Sequence, residues 1–305
     1  MPDATASRRI HRKECGAFAA ALNIMTTRII SAAVGVVITL LLLFLHNTIV
    51  FPIAIGLVTA ILIFEFLRAN ELLRYRLSTI GALILAFSAA FFTDQSRLIS
   101  RMRLMVCVVG VVCILIDYIR HQTKMSQKSF FAMIAGLFLI VLPMSSIVTL
   151  NHTHEQHGLA LLLLGLGGAW IADSGAYFVG SSMGKHKLCP SISPNKTVEG
   201  FIGGIFFNVV YFVLFALIYS AICKRNGVGF AMDPFSAVIV AMVCAVLGTI
   251  GDLTASVMKR QLEIKDFGNL MPGHGGLLDR FDSVLLVLPF FCAYVQTIDF
   301  INLPH

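Results

Sequence analysis

The sequence predicts an all-α, polytopic integral membrane protein of about nine transmembrane helices, and three observations carry that prediction. Hydrophobic residues make up 57% of the 305-residue chain and mean hydropathy is +0.86, whereas soluble globular proteins are roughly 45–50% apolar. Apolar runs close to the ~18 residues needed to cross a bilayer recur along the chain. These runs are continuous, which excludes the short alternating strands of a transmembrane β-barrel.

The elements follow in order. Residues 1–28 are polar and basic, with Arg8, Arg9, Arg12, Lys13 and Arg28. A basic lead before an apolar run resembles a signal peptide. Against that, the run is long, no small-residue cleavage site follows, and a second run begins directly after it. The expectation is a helical hairpin with spans near 29–45 and 49–67. Further spans are expected near 78–92, 104–119, 130–149, 159–180, 200–222, 235–255 and 283–301. Between them lie polar links at 68–77, 93–103, 120–129, 151–158 and 223–234, and two long charged loops at 181–199 and 256–282.

Lys and Arg set the orientation. With the N-terminus inside, 18 of the 23 fall on inside segments, and both long charged loops face the cytoplasm. The link at 93–103, with Arg97, Arg101 and Arg103, runs against the trend. The net charge of +7 suits anionic lipid or an anionic substrate and otherwise reflects basic loops. No basic stripe or aromatic-basic platform is present, so nucleic acid is not a partner. The seven cysteines are scattered and form no CxxC pair, which leaves them as apolar packing residues.

Only 13% of residues are charged, yet Gly251–Ser283 alone holds Asp252, Glu263, Asp266, Asp279 and Asp282. Charge at the membrane is costly and marks function. Asp252, Ser256 and Lys259 stand at i, i+4 and i+7, on one helix face. They make either a satisfied intramembrane salt bridge or a site for Mg²⁺ and phosphate. Asp279 and Asp282, at i and i+3, either cap a helix N-terminus or form a divalent-metal cage. His274, Gly275 and Gly276, after Pro272-Gly273, make a tight turn whose backbone can approach a ligand.

A third group lies around 170–200. Asp173 interrupts an apolar run and is expected to face the bundle interior. Lys185, Lys187 and Lys196, with Ser191, Ser193 and Thr197, make either a solvated loop or one that holds phosphates. The segment GSSMGKHK is not a Walker A loop, because three residues rather than four separate its glycines and His186 follows Lys185. His152, His154 and His157 share a short outer loop with one acid, Glu155, and read as surface histidines. Glu65, Asp94 and Asp117 read as packing pairs or helix-end groups.

The stretch from Ser256 to Asp282, S-x-M-K-R-x4-K-D-x-G-x2-M-P-G-H-G-G-x2-D-R-x-D, resembles the signature of the phosphatidate cytidylyltransferases, the CDP-diacylglycerol synthases. The block from Asp173 to Gly200, DSGAYFVG…GK-x-KL-x-P-x-ISP-x-KT-x-EG, resembles a second block of that family. Met271 stands where the family usually has a branched aliphatic residue. The resemblance covers roughly the C-terminal 40% of the chain. Together with the hydropathy pattern and the Lys/Arg bias it divides the chain into a basic cytoplasmic segment at 1–28, transmembrane helices at 29–150, and a transmembrane catalytic region at 151–305 with its cytoplasmic loops at 181–199 and 256–282.

The implied reaction joins CTP and phosphatidic acid into CDP-diacylglycerol and pyrophosphate, with Mg²⁺ as cofactor and room for a second cation. A phosphate monoester is largely deprotonated at neutral pH, its second pKa being about 6, so positioning and cations matter more than a general base. Under this reading Asp252, Asp279 and Asp282 bind metal, and Ser256 offers a further oxygen. Lys259, Arg260 and Arg280 hold phosphates. His274, Gly275 and Gly276 shape the nucleotide pocket, while Asp173, Lys185 and Lys196 contact substrate. The expected setting is a bacterial inner membrane with the site facing the cytoplasm, and a homodimer is an allowed assembly. The alternatives are a CTP-dependent lipid kinase of the dolichol or phytol type, a cation or proton transporter using Asp173 and Asp252, and a lipid-binding scaffold.

Overall fold

The structure, a computed structural model, describes residues 26, 30–31, 33–91, 97–153, 157–228, 230–273, 275–297 and 301–302. Asp94, His154, Glu155, His274 and most of the N-terminal basic segment lie outside the described residues. Inside a bilayer every backbone N–H and C=O must be bonded within the protein, so long apolar runs fold as helices whatever their local propensity. The described helices are α1 Ala33–Phe44, α2 Val50–Ala69, α3 Arg76–Ser88, α4 Arg97–Arg120, α5 Gln127–His152, α6 Gly158–Met183, α7 Val198–Arg225, α8 Pro234–Gln261 and α9 Val284–Thr297. The chain is an all-α membrane protein. Five helices, α2, α5, α6, α7 and α8, are each long and apolar enough to cross a membrane; α1, α3 and α9 are shorter apolar helices.

Two boundaries differ from the expected spans. The link at 93–103 is already helical from Arg97. No Gly or Pro interrupts the sequence from Arg97 to Val109, and Arg, Leu and Met are good helix formers. The polar loop at 181–199 also holds structure, a hairpin of β1 Lys187–Cys189 and β2 Ser193–Thr197. Its strands pair antiparallel with Lys187 opposite Thr197 and Cys189 opposite Ser193. The Ile192 N–H donates to the Cys189 carbonyl at 3.2 Å across Pro190-Ser191. A second small pair joins β3 Ala231–Met232 to β4 Ile301–Asn302.

Helix starts follow local chemistry. Thr197 caps α7 by accepting the Gly200 N–H at 3.1 Å. Asp233 caps α8 through the Ser236 N–H at 2.8 Å, with Pro234 at the first helical position. Hydrogen bonds from the Ser236 hydroxyl and N–H hold the Asp233 carboxyl below the usual carboxylate range. Asp117 on α4 caps α3, accepting the Ser78 N–H at 2.8 Å, and also pairs with His121 at 3.0 Å.

The bundle has two packed groups. Helices α2, α3, α4 and α5 form one and α6, α7, α8 and α9 the other, joined where α5 meets α9. Lipid tails are as apolar as the side chains, so close approach and interhelical hydrogen bonds must supply much of the cohesion. The α6–α7 contact shows the first. A Cβ added at Gly204 would lie 2.7 Å from the Ala172 carbonyl oxygen, and one at Gly200 2.7 Å from that of Ala176. The α7–α8 contact shows the second, for fully buried Asn208 donates its side-chain N–H to the Ala241 carbonyl at 2.8 Å. Phe212 and Phe291, both fully buried, meet edge to face with ring centres 5.9 Å apart and tie α7 to α9.

Candidate active site

Three elements bring acids to one place. Asp173 comes from the second half of α6, Asp252 from the last third of α8, and Asp282 from the turn between the 3₁₀ helix Leu278–Arg280 and α9. All three line one cavity of about 1710 Å³, together with Lys196, Asp279 and Arg280. The remainder of the wall is mostly apolar and drawn from α1, α2 and α6, including Val34, Ile38, Ile55, Val58, Leu166 and Trp170. The cavity therefore has a charged end and a greasy end. Ser31 at the α1 end donates its hydroxyl hydrogen to the Pro272 carbonyl at 3.1 Å, which brings that wall against the charged loop.

The acids are held by different means. Asp252 pairs with Lys196 of β2 at 2.5 Å, a link between α8 and the hairpin. Asp173 is hydrogen-bonded to Ser283, which is 1% exposed. Asp282 accepts the Ser283 N–H at 2.9 Å. Burial, and next the carboxylate of Asp252, push the Asp282 carboxyl up to about 7, against the opposing pull of Lys259. Crowded, partly buried acids of this kind call for a cation. The oxygen-only donor set of Asp173, Asp252, Asp282 and Ser256 suits Mg²⁺ by its chemistry. Among the described residues no three acidic, imidazole or thiol side chains already stand close enough to hold an ion between them.

The expected face on α8 is present, with its members differently engaged. The Ser256 hydroxyl reaches Asp252 Oδ1 only at 3.5 Å. Lys259 turns instead to Asp279, donating to Oδ1 at 2.9 Å. Asp279 Oδ2 accepts the N–H groups of Phe267 at 2.9 Å and Gly276 at 3.0 Å. Asp279 is therefore nearly buried and engaged by three donors of the protein itself, while still lining the cavity beside Asp252 and Asp282. Its place makes it a hub that ties Phe267 and Gly276 of the charged loop to Lys259 of α8.

Other expected site residues divide the same way. Arg280 lines both the large cavity and a neighbouring polar pocket of about 620 Å³ with Lys265, Asp266, Asn269 and Gly275. Gly275 has φ +86°, a backbone region that side chains disfavour, and its Cα faces Asp266. Arg260 reaches the hairpin, its Nε donating to the Ile192 carbonyl at 3.4 Å. Lys185 is exposed, and its N–H and that of His186 donate to Glu199 at 3.0 and 3.2 Å. His152 bonds back to the Val148 carbonyl while His157 pairs with Tyr219 on α7, so these two histidines serve separate contacts. One residue of consequence is not visible in the motifs. Glu65 of α2, 5% exposed, accepts the N–H groups of Leu277 and Leu278 at the start of the turn that carries Asp279.

The chain matches the sequence model of the Cytidylyltransferase family over residues 26–298. It is 32% identical to a phosphatidate cytidylyltransferase of Bacillus subtilis over 272 residues, covering 87% of this chain and 96% of that one. A Haemophilus influenzae phosphatidate cytidylyltransferase is 31% identical over 286 residues, covering 88% of this chain and 97% of that one. One from Staphylococcus aureus strain COL is 44% identical over 135 residues, covering 44% and 48%. With nearly the whole chain matched, and with Asp173, Lys196, Asp279, Arg280 and Asp282 of the two resembling blocks lining one cavity, the protein belongs to the cytidylyltransferase family.

Proposed function

We propose that this enzyme transfers the cytidylyl group of CTP to phosphatidate, giving CDP-diacylglycerol and pyrophosphate for phospholipid synthesis. The single observation that carries the reading is the two-ended cavity, with acids and cations at one end and a long apolar wall at the other. A lipid phosphate fits that shape, its acyl chains along α1, α2 and α6 and its phosphate toward Lys196 and Arg280. In the reaction a phosphate oxygen of the lipid forms a bond to the α-phosphorus of CTP. The bond from that phosphorus to the β-phosphate bridging oxygen breaks, and pyrophosphate leaves with the electron pair.

The chain's own groups suit that displacement. Lys196 and Arg280 neutralise phosphate charge and fix approach. Asp252, Asp282 and Asp279 would hold Mg²⁺, with Asp173 and Ser256 as further oxygen donors, and the ion would supply charge neutralisation at the phosphates. Lys259 and Asp279 also hold the loop. The active site faces the cytoplasm of a bacterial inner membrane, as the distribution of Lys and Arg favours. Purified protein with phosphatidate, labelled CTP and Mg²⁺ tests the reading. Pyrophosphate and CDP-diacylglycerol are expected, and EDTA should abolish both. Release of CDP would instead mark a lipid kinase.

A further inference from the structure

An acid inside a membrane helix demands an explanation. Glu65 lies in α2 among Leu62, Ile63 and Phe66, all buried, and is itself 5% exposed. Among the described residues no ion pair includes it. Both carboxylate oxygens face backbone instead. Oε1 accepts the Leu277 N–H at 3.1 Å and Oε2 the Leu278 N–H at 2.8 Å. The preceding N–H, of Gly276, goes to Asp279 Oδ2. Three consecutive N–H groups, at 276, 277 and 278, are thus taken by two carboxylates.

The glycines of the charged loop make room for this grip. A Cβ at Gly268 would collide with Glu65 Oε1, and one at Gly276 would lie 2.8 Å from Oε2 and 3.0 Å from Asp279 Oδ2. The loop is therefore shaped around a side chain from the other helix group. Glu65 is absent from the wall of the large cavity, so it acts on substrate only through what it holds. What it holds is the 3₁₀ turn bearing Asp279 and Arg280, with Asp282 directly after it.

We propose that Glu65 is a positioning residue for the transfer site, its carboxylate fixing the turn that aims Arg280 and Asp282 into the cavity. This rests on the reading of the site given above. Two acceptor oxygens are required, because both facing groups are donors. Gln would set an NH₂ against one N–H, and Asp would fall one methylene short. The small displacement of the turn that follows is enough to misalign an in-line transfer, where misplacement of about 1 Å can lower the rate on the order of 100-fold.

The test uses the full chain in lipid nanodiscs with phosphatidate, CTP and Mg²⁺. For Glu65→Gln the expected result is a kcat lower by roughly 10–100-fold with KM for phosphatidate within about twofold, since the apolar wall is untouched. Hydrogen exchange should quicken at Leu277 and Leu278 while α6 and α7 keep wild-type protection. Wild-type kcat in folded Glu65→Gln protein, unchanged exchange at those two amides, or an activity loss that only follows the loss of folded protein would each overturn the proposal. Should Glu65→Gln fail to fold, Glu65→Asp is read by the same criteria, and unfolding of both would assign Glu65 to stability alone. Absence of CDP-diacylglycerol in the wild type would refute the proposed reaction instead, and the exchange measurement would still judge Glu65.

Discussion

Asp279 and Asp282, three residues apart, are expected to answer loss of charge in opposite ways. Asp279 anchors Lys259 and two backbone N–H groups in a nearly buried setting. Asp279→Asn leaves the Lys259 ammonium, 15% exposed, without its anion. Removing one member of a buried pair costs about 3–5 kcal/mol, and somewhat less is expected here because an amide oxygen remains as an acceptor. Asp282, by contrast, is a partly buried acid whose carboxyl is pushed up by burial and by Asp252, and its charge is a liability without a cation. Asp282→Asn should therefore unfold at or above the wild-type temperature in EDTA, yet lose on the order of 100-fold or more in Mg²⁺-dependent turnover. Thermal unfolding with and without Mg²⁺, beside turnover of the same samples, separates the two roles. Equal destabilisation by both substitutions would remove the distinction between hub and open ligand.

At the scale of elements, the site depends on how closely α6 and α7 approach. Gly204 lies against the Ala172 carbonyl, and Ala172 directly precedes Asp173. Gly204→Ala must push the helices apart, and overpacking of this kind costs about 1–3 kcal/mol. The expected outcome is a lower unfolding temperature together with reduced turnover, because Asp173 and the Thr197 cap move with the two helices. Val209→Ala, on a partly buried position of the same helix, is the control that should leave turnover near wild type. The helices themselves were legible in the sequence, since apolar length alone dictates them. The hairpin was not. Ser193–Thr197 reads SPNKT, with a proline, an asparagine and a lysine that argue against a strand. It pairs because the Asp252–Lys196 link and the Arg260 contact to Ile192 pin it to α8, and such tertiary ties leave no periodicity to read.

Across the whole molecule, the placing of Asp252 and Asp282 on one cavity was readable because both fall in the charge-dense stretch Gly251–Ser283, and that of Asp173 because an acid in an apolar run points inward. The engagement of Asp279 and the reach of Glu65 were not. Both depend on backbone donors in an irregular loop, and Glu65 meets that loop from more than two hundred residues away. Topology is the remaining property on which the proposed chemistry depends, for a nucleotide-using site must open toward the compartment that holds nucleotides. The hairpin carrying Lys196 and the end of α8 carrying Lys259 lie at the same end of the bundle, linked through Asp252 and Arg260. Lys224, in the last turn of α7, lies at the far end of that 28-residue helix. At about 1.5 Å per residue such a helix exceeds the hydrocarbon thickness of about 30 Å, so its two ends face opposite sides. In a chain whose native cysteines are replaced, Asn195→Cys should react with a membrane-impermeant maleimide only in inverted vesicles, and Lys224→Cys only in intact spheroplasts. Asn195→Cys labelled from outside would reverse the orientation, and with it the access of cytoplasmic CTP to the acids of the cavity.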